Sequence, residues 1–349
     1  MSCCLMSNRN YYWLRLCQQW CVVSFEWCMF GLGPVLIVTV VILAVCETYW
    51  ALKFLVPESY WRLHATWIAW LFANALFNYF ACVLTDPGTH SSVAYKNLVV
   101  EASDRGEVHA LDVAEYFARH GFSAAAAAAK ARPAEDRRRR RVHQSWMDRG
   151  PFEWGYCKYT HSPKAPRSHY DHVTKKLVLN MDHYCPWMFN VVGYGNYRFF
   201  LLFLWWVTVS AVYGVALTAM PFASLAFPAP KRRAWRPRSK QARSAVMFTF
   251  VLAISVGIAV AVLGAWHLFL VLTAQTTIEF YGNHALRGRA AQRGMIYRNP
   301  YDQGCRKNWE HVFGAGHPLF AILPSARPPP AKPWPSSPHD QRMVIPHVV

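Results

Sequence analysis

An acid, an imidazole and a thiol stand within four positions in the stretch MDHYCPW, residues 181–187. A free thiol has a pKa of about 8.5, so at neutral pH it needs help to act as a nucleophile. A histidine that accepts the proton, oriented by a carboxylate, gives that help, and Asp182, His183 and Cys185 supply acid, base and nucleophile. Residues two apart on an extended chain point the same way, so His183 and Cys185 can meet. The same spacing, taken alone, also fits a structural or metal-ligating pair.

The elements that must position this stretch are apolar. Of the 349 residues, 54% are hydrophobic and only 16% are charged, and the apolar residues form long uncharged runs. This composition indicates a polytopic membrane protein rather than a soluble core. The net charge of +18 lies in loops between the runs, which favours an anionic membrane face or a phosphorylated co-substrate over nucleic acid. The 10 cysteines form no paired framework, so reduced, cytosol-facing thiols are expected.

Four apolar runs are long enough to cross a bilayer, since about 20 helical residues span about 30 Å. The predicted spans are residues 34–52, 65–84, 199–221 and 245–277. Glu47 and His267 are the ionisable residues inside them, which is too few for the polar pathway of a transporter.

The spans divide the rest of the chain into polar segments. By the positive-inside rule the large basic loop, residues 86–197, is cytosolic, and four spans then place both termini there. The basic loop 231–243 conflicts with this orientation. The predicted organisation is an interfacial or cytosolic segment (1–33), two spans (34–84), a linker with a helix near 108–130 and a basic run (85–150), a catalytic domain (151–198), two spans with their connecting loop (199–277), a cytosolic region (278–323) and a Pro-rich disordered tail (324–349).

Further motifs resemble those of the DHHC family of protein S-acyltransferases, and the resemblance extends over most of the chain. They are DPG at 86–88, KAPR at 164–167, DHYCPW at 182–187, NYRFF at 196–200, TTIE at 276–279 and NPYD at 299–302. The resemblance implies an all-α polytopic membrane protein with four transmembrane helices. It also implies a cytosolic, mostly irregular DHHC-type loop domain between helices two and three.

The activity that the resemblance implies is that of a membrane-bound protein S-acyltransferase (palmitoyltransferase). Palmitoyl-CoA or a similar long-chain acyl-CoA would donate its acyl group to protein cysteines through an acyl-Cys185 intermediate, with His183 as base and Asp182 orienting it. The expected partners are the lipid bilayer, acyl-CoA and cysteine-containing protein substrates, in an endomembrane such as the Golgi or endoplasmic reticulum with a cytosolic active site. Supporting roles fall to Thr276, Thr277 and Glu279 beside the active site, and to Lys164 and Arg167 at the CoA phosphates.

The sequence departs from the family at its zinc ligands. The family's loop usually binds two zinc ions, each through three cysteines and one histidine, and a closed zinc site needs four N or S ligands. Cys157 is the one remnant, so zinc is unlikely and packing is expected to hold the loop. The other positions carry Thr160, Tyr170 and Leu177 in the first site, and Asp171, Thr174, Tyr184 and Val191 in the second.

Two readings of the chain remain open. A catalytically inactive DHHC-like membrane scaffold or adaptor is the alternative to an enzyme. The retention of Asp182, His183 and Cys185 together argues against it, since a scaffold has no need of all three.

Overall fold

The computed structural model describes residues 31–120, 150–227, 235–327, 329 and 332–334. The predictions for the N-terminal segment up to residue 30, for the alanine tract at 124–129 and for the basic run at 137–141 lie outside these residues. The described helices are α1 (Gly31–Leu55), α2 (Trp61–Leu84), α3 (Val93–Asp104), α4 (Ala110–Arg119), α5 (Tyr197–Ala226), α6 (Lys240–Leu272), α7 (Thr277–Gln292), α8 (Cys305–Phe313) and α9 (Pro318–Ala321).

Helices α1, α2, α5 and α6 are each long and apolar enough to cross a membrane, which confirms the predicted four-helix membrane architecture. Small residues let α5 and α6 approach closely: a Cβ on Gly257 would come within 2.8 Å of the Ala211 side chain. Near the far end of the same pair, the rings of Phe222 and Phe250 stack with centroids 4.0 Å apart. The protein is therefore an integral multi-pass membrane protein.

The fourth span ends earlier than predicted. Helix α6 stops at Leu272 rather than at residue 277, and Ala274 takes a left-handed backbone conformation with φ of 51°. A new helix, α7, then begins at Thr277, because Thr276 and Glu279 form a reciprocal capping box at its start. The TTIE motif is thus a helix start at the end of the bundle and not the last turn of a span.

The described part of the basic loop that conflicted with the orientation, residues 235–243, lies at the opposite end of the bundle from the loop domain. Arg238 forms an exposed ion pair of 2.6 Å with Glu58, which belongs to the short connection between α1 and α2. Both connections therefore share one end of the helices. An exposed ion pair of this kind contributes little to stability, but it shows that the two connections lie close together.

Between α2 and α5 the chain forms three short antiparallel hairpins. They are β1–β2 (Gly155–Cys157 with Ser162–Lys164), β3–β4 (His169–Asp171 with Lys176–Val178) and β5–β6 (His183–Cys185 with Asn190–Val192). Each strand has three residues, and an isolated hairpin of that size is not stable in water. Other parts of the chain must hold these hairpins.

Helices α3 and α4 supply part of that support. The Tyr95 hydroxyl donates to the Pro163 carbonyl at 2.7 Å and accepts from the Ala165 backbone N–H at 3.0 Å, which ties α3 to β2 and the turn after it. Tyr116 and Phe117 of α4 are fully buried in the same core. The segment 85–150, predicted as a linker with a helix near 108–130, therefore holds two packed helices in its described part.

The segment after α9 also packs against the hairpins. Trp334 is 8% exposed and meets Trp154 edge to face, with ring centroids 6.2 Å apart. The Arg198 guanidinium, at the start of α5, donates to the carbonyls of Ser325 and Arg327 at 2.7 and 2.8 Å. Several described residues of the segment predicted as a disordered tail from residue 324 therefore have partners, through their backbone carbonyls and one large aromatic ring.

Candidate active site

The hairpin β5–β6 carries the reactive stretch. His183 and Cys185 are two apart on β5, so they share one face of the strand, opposite Val192 and Asn190 respectively. Pro186 then starts a single 3-10 turn, and Phe189 closes it in a left-handed conformation with φ of 47°. The turn holds the thiol at the end of a strand, next to the apolar bundle.

Two asparagines fasten this hairpin to the end of α2. The carboxamide of Asn190 donates to the carbonyls of Cys82, Val83 and Thr85 at 3.1–3.2 Å. That of Asn196 donates to the carbonyls of Cys82 and Val191. The last carbonyls of a helix have no partner within the helix, so these side chains satisfy them and fix the hairpin to a membrane-spanning element.

Asp182, His183 and Cys185 come together as the spacing predicted. His183 Nδ1 lies 2.7 Å from Asp182 Oδ2, and the His183 ring is also hydrogen-bonded to the Cys185 thiol. Since Nδ1 faces the carboxylate, the neutral ring carries its proton there and leaves Nε2 as the acceptor. Asp182 and Cys185 are only 1% and 6% exposed, so bulk water does not compete for these contacts.

The electrostatics of the site favour the charged His183 ring that forms when it accepts the Cys185 proton. Burial alone lowers the pKa of His183, but its hydrogen bonds to Asp182 and Cys185 outweigh burial and raise that pKa to about 9. Burial alone raises the pKa of Asp182, but the neighbouring His183 and the backbone N–H of Thr277 lower it overall. The carboxylate is therefore charged at neutral pH and stabilises an imidazolium beside the thiol.

The start of α7 holds the carboxylate. The backbone N–H of Thr277 donates to Asp182 Oδ1 at 2.8 Å, and the Thr277 hydroxyl donates to Oδ2 at 2.9 Å. The N-terminus of a helix carries free N–H groups and a partial positive charge, so it suits a carboxylate. Thr276 does not touch Asp182 in this way: its side chain caps α7 by accepting from the Glu279 backbone.

Arg167 braces the same helix start. Its Nε and Nη2 atoms meet the Glu279 carboxylate at 2.7 and 2.6 Å, and its remaining contacts are to the carbonyls of Ala274 and Pro333. The guanidinium also lies 4.3 Å from the centre of the Tyr301 ring. These contacts favour a structural role for Arg167 over the predicted contact with CoA phosphates. Lys164, the other predicted CoA contact, is half-buried at the end of β2.

Comparison with known proteins matches this part of the chain. Residues 151–284 match the family model of the DHHC palmitoyltransferase. The chain is 28% identical over 217 residues to palmitoyltransferase ZDHHC16A of Danio rerio, which covers 50% of this chain and 56% of that relative. It is 30% identical over 172 residues to the probable protein S-acyltransferase 16 of Arabidopsis thaliana, covering 49% of this chain and 58% of the relative.

This chain is therefore similar to DHHC palmitoyltransferases over residues 151–284. It spans little more than half the length of the curated relatives it matches, namely 56% and 58% for the two above. Within this matched region, the acid, first histidine and cysteine of the DHHC motif are present, and Tyr184 stands in place of the second histidine.

The first zinc position of the DHHC domain does not fit a metal. Cys157 and Leu177 are buried together in an apolar core, and the Tyr170 ring stacks on Tyr159 with centroids 4.5 Å apart. The Thr160 hydroxyl is buried without a hydrogen-bond partner. This donor set offers one thiol where a closed zinc site needs four N or S ligands.

The second zinc position does not fit either. Asp171 Oδ2 accepts from the backbone N–H and hydroxyl of Thr174, both at 2.6 Å, so this carboxylate is engaged within its own turn. Tyr184 packs against an apolar cluster that includes Val191, and its hydroxyl is buried without a partner. Among the described residues, one group of three side chains is close enough together to hold a metal ion, namely Asp182, His183 and His267. This group lies outside both zinc positions. The absence of zinc stays a prediction.

One neighbour of the site was not predicted from the sequence. His267 of α6 is 2% exposed, and its Nδ1 lies 3.0 Å from the Tyr197 hydroxyl and 4.0 Å from Asp182 Oδ2. The sequence placed this histidine only as an ionisable residue inside a span. An ionisable group in a span is itself a signal of function, and that signal pointed here.

Proposed function

We propose that the protein is a membrane-bound protein S-acyltransferase that moves a long-chain acyl group from acyl-CoA to protein cysteines through acyl-Cys185. The observation that carries the proposal is the side-chain network in which His183 bonds to both Asp182 and Cys185, at the end of four membrane-spanning helices. The matches to proteins named palmitoyltransferase and protein S-acyltransferase support it.

In the first step the Cys185 proton moves to His183, and the thiolate attacks the carbonyl carbon of the acyl-CoA thioester. A new bond forms between that carbon and Cys185 Sγ, and the bond to the CoA sulfur breaks. The CoA thiolate leaves with the proton from His183. Asp182 keeps the ring oriented and stabilises the imidazolium between these transfers.

In the second step a substrate cysteine takes the place of CoA. Its thiol proton moves to His183, and its sulfur attacks the carbonyl carbon of acyl-Cys185. The bond to Cys185 breaks, and the Cys185 thiolate regains the proton from His183. The acyl group ends on the substrate, and the enzyme returns to its starting protonation state.

The surroundings of Cys185 suit an acyl chain. Cys185 packs in an apolar cluster with Tyr79 and Cys82 of α2 and Phe199, Phe200 and Leu204 of α5. A 16-carbon chain is worth up to about 12 kcal/mol of burial at about 0.8 kcal/mol per methylene. A thioester at Cys185 would lie at the boundary between this cluster and the loop domain, with its chain directed among the spans.

The proposal assigns palmitoyl-CoA or a similar acyl-CoA as co-substrate, with Lys164 offering positive charge for the CoA phosphates. Arg167 is instead assigned to bracing α7, in view of its pairing with Glu279. The positive-inside rule favours a cytosolic active site, and a Golgi or endoplasmic reticulum membrane is the expected compartment.

Labelling with a radioactive or clickable palmitoyl-CoA tests the proposal. Purified protein in detergent or vesicles should acquire label that hydroxylamine removes, since hydroxylamine cleaves thioesters. Cys185→Ser should abolish the label. Cys305 is an exposed cysteine, so Cys305→Ser serves as the matched control and should label as the wild type does.

The same experiment decides between the enzyme and the scaffold. No label on folded wild-type protein would favour the catalytically inactive scaffold. Label that survives in Cys185→Ser would overturn the assignment of the nucleophile. Transfer of label from acylated protein to a cysteine-containing peptide or protein tests the second step separately.

A further inference from the structure

His267 has no role in the chemistry described so far, although it lies beside it. The residue is nine-tenths or more buried on α6, one of the four spanning helices. A polar, ionisable side chain within a span is costly unless it has partners, and such residues usually serve a function. Its neighbours therefore indicate what it does.

The partners of His267 come from two different elements. Nδ1 is 3.0 Å from the hydroxyl of Tyr197, the first residue of α5. The same Nδ1 is 4.0 Å from Oδ2 of Asp182, the oxygen that also accepts from His183 and Thr277. One side of the catalytic carboxylate is thus bounded by a hydrogen-bonded histidine–tyrosine pair.

The His267 ring also restricts the movement of the His183 ring. The centroids of His267 and His183 are 5.6 Å apart, and both rings contact Phe200, at 5.0 and 5.2 Å respectively. Any swing of the His183 ring toward α6 would meet His267 or Phe200. His183 can then present Nε2 to Cys185 while Nδ1 remains on the carboxylate.

We propose that His267, held by Tyr197, is a positioning residue that fixes the Asp182 carboxylate and the His183 ring in the geometry for thiol activation. The inference rests on the proposed acyl transfer and adds to it. The neighbours of His267 in the site are Asp182 and the His183 ring, so it acts through them and is not itself a catalytic residue.

The titratable groups that face His267 are Asp182 and His183 from the hairpin and Tyr197 from α5. Loss of His267 loosens the Asp182–His183 hydrogen bond. The pKa of His183, raised to about 9 by that bond and by Cys185, should then fall toward its ordinary value of 6.5. The basic limb of the pH profile for Cys185 acylation should move to lower pH.

Three variants test the proposal in the labelling assay. His267→Leu keeps most of the side-chain volume but removes the polar atom. It should slow Cys185 acylation about tenfold, the value of about one hydrogen bond. The apparent KM for palmitoyl-CoA should change little. His267→Asn retains an amide near the position of Nδ1 and should restore much of the rate. Tyr197→Phe removes the hydroxyl and should resemble His267→Leu, with no further loss in the double variant.

The chain offers a matched control. His64 Nδ1 lies 2.5 Å from the Tyr213 hydroxyl, which is another histidine–tyrosine pair between spanning helices. Tyr213 is about 24 Å along α5 from Tyr197 at about 1.5 Å per residue. His64→Leu should lower the stability of the protein by the loss of such a pair. Its acylation rate per folded molecule and its pH profile should be those of the wild type.

The outcomes separate this inference from the proposed function. Wild-type protein that folds but acquires no label at Cys185 would overturn the proposed function. Wild-type protein that labels, together with His267→Leu at the same rate and pH profile, would overturn only the positioning role. Equal losses in His267→Leu and His64→Leu would also overturn it, since they indicate a general effect of packing.

Discussion

The guanidinium of Arg167 meets the carboxylate of Glu279 across 112 residues of sequence, with both oxygens engaged at 2.7 and 2.6 Å. The same carboxylate accepts from the Thr276 backbone at the start of α7. The next residue, Thr277, holds the Asp182 carboxylate through two hydrogen bonds. The ion pair is therefore linked to Asp182 through the start of α7, and it fixes the helix end on which that carboxylate depends.

We expect Glu279→Gln to disturb both folding and chemistry. Removing one partner of a buried ion pair leaves the other charge uncompensated and costs about 3–5 kcal/mol. The glutamine amide oxygen still accepts from the N-cap backbone in the capping box, so this variant tests the ion pair itself. Thermal unfolding in detergent should show a lowered midpoint, and acylation of Cys185 should fall more than tenfold per folded molecule, since each factor of ten needs only about 1.4 kcal/mol.

Arg167→Lys provides the second half of that test, because a lysine cannot make the two-point contact. We expect it to lose most of what Glu279→Gln loses. Arg306 and Glu310 form an exposed pair at 3.0 Å on α8, and Arg306→Lys should change neither midpoint nor rate. Wild-type acylation in Glu279→Gln would contradict the role given to the ion pair.

The Thr277 hydroxyl offers a second test, because it donates to the carboxylate oxygen that also binds His183. Thr277→Val removes that donor at almost constant volume and should slow Cys185 acylation about tenfold, the value of about one hydrogen bond to a charged group. Thr277→Ser keeps the hydroxyl and should retain most of the rate. Thr208 donates to a backbone carbonyl within α5, so Thr208→Val is the control and should not slow the reaction. Equal rates in the valine and serine variants of Thr277 would contradict the prediction.

The features that could be predicted from the sequence are those with local signals. The four spans follow from uncharged apolar runs, and the approach of His183 to Cys185 follows from their spacing on an extended strand. The capping box at Thr276 also had a local signal, since T-x-x-E before a helix is a known start pattern. The predicted span 245–277 nevertheless included the first two residues of this motif, because the apolar run continues to its edge.

Other features depend on contacts between distant parts of the chain. Nothing near Arg167 in sequence indicates Glu279 as its partner, and its positive charge alone equally fits an anionic co-substrate. Pro-rich composition predicts disorder, and it does not indicate the distant contacts of the described part of the tail, such as that between Trp334 and Trp154. His267 was visible as an ionisable residue in a span, although its neighbour Asp182 was not.

The raised pKa of His183 predicts a stability that depends on pH. The folded protein holds this proton up to about pH 9, against an ordinary value of 6.5. The stability that this contributes is fully present below pH 6.5 and is lost as the pH rises through 9. The thermal midpoint should therefore fall between pH 7 and pH 10 by more in wild type than in His183→Gln. An identical fall in both proteins would contradict the raised pKa.

Trp334 should matter to the loop domain although it lies far along the chain. Trp334→Ala removes a ring that is 8% exposed and packs against Trp154, which should cost about 3 kcal/mol in unfolding free energy. Limited proteolysis should then cut the hairpin region faster. Phe320 is 66% exposed, so Phe320→Ala is the control and should leave proteolysis unchanged. Unchanged proteolysis in Trp334→Ala would contradict the contact.

The packing at the former zinc positions predicts that metal removal has no effect. Tyr95, Cys157 and Leu177 lie in one apolar core, and Asp171 is engaged by Thr174. Zinc-dependent domains lose folding free energy when chelated, because binding and folding are coupled. We therefore expect less than one zinc ion per chain by elemental analysis, and an unchanged thermal midpoint after treatment with a strong chelator.

Tyr95→Phe should lower the midpoint instead, since its hydroxyl bonds to Pro163 and Ala165 would be lost. Two zinc ions per chain, or a midpoint that falls on chelation, would show that metal holds the loop.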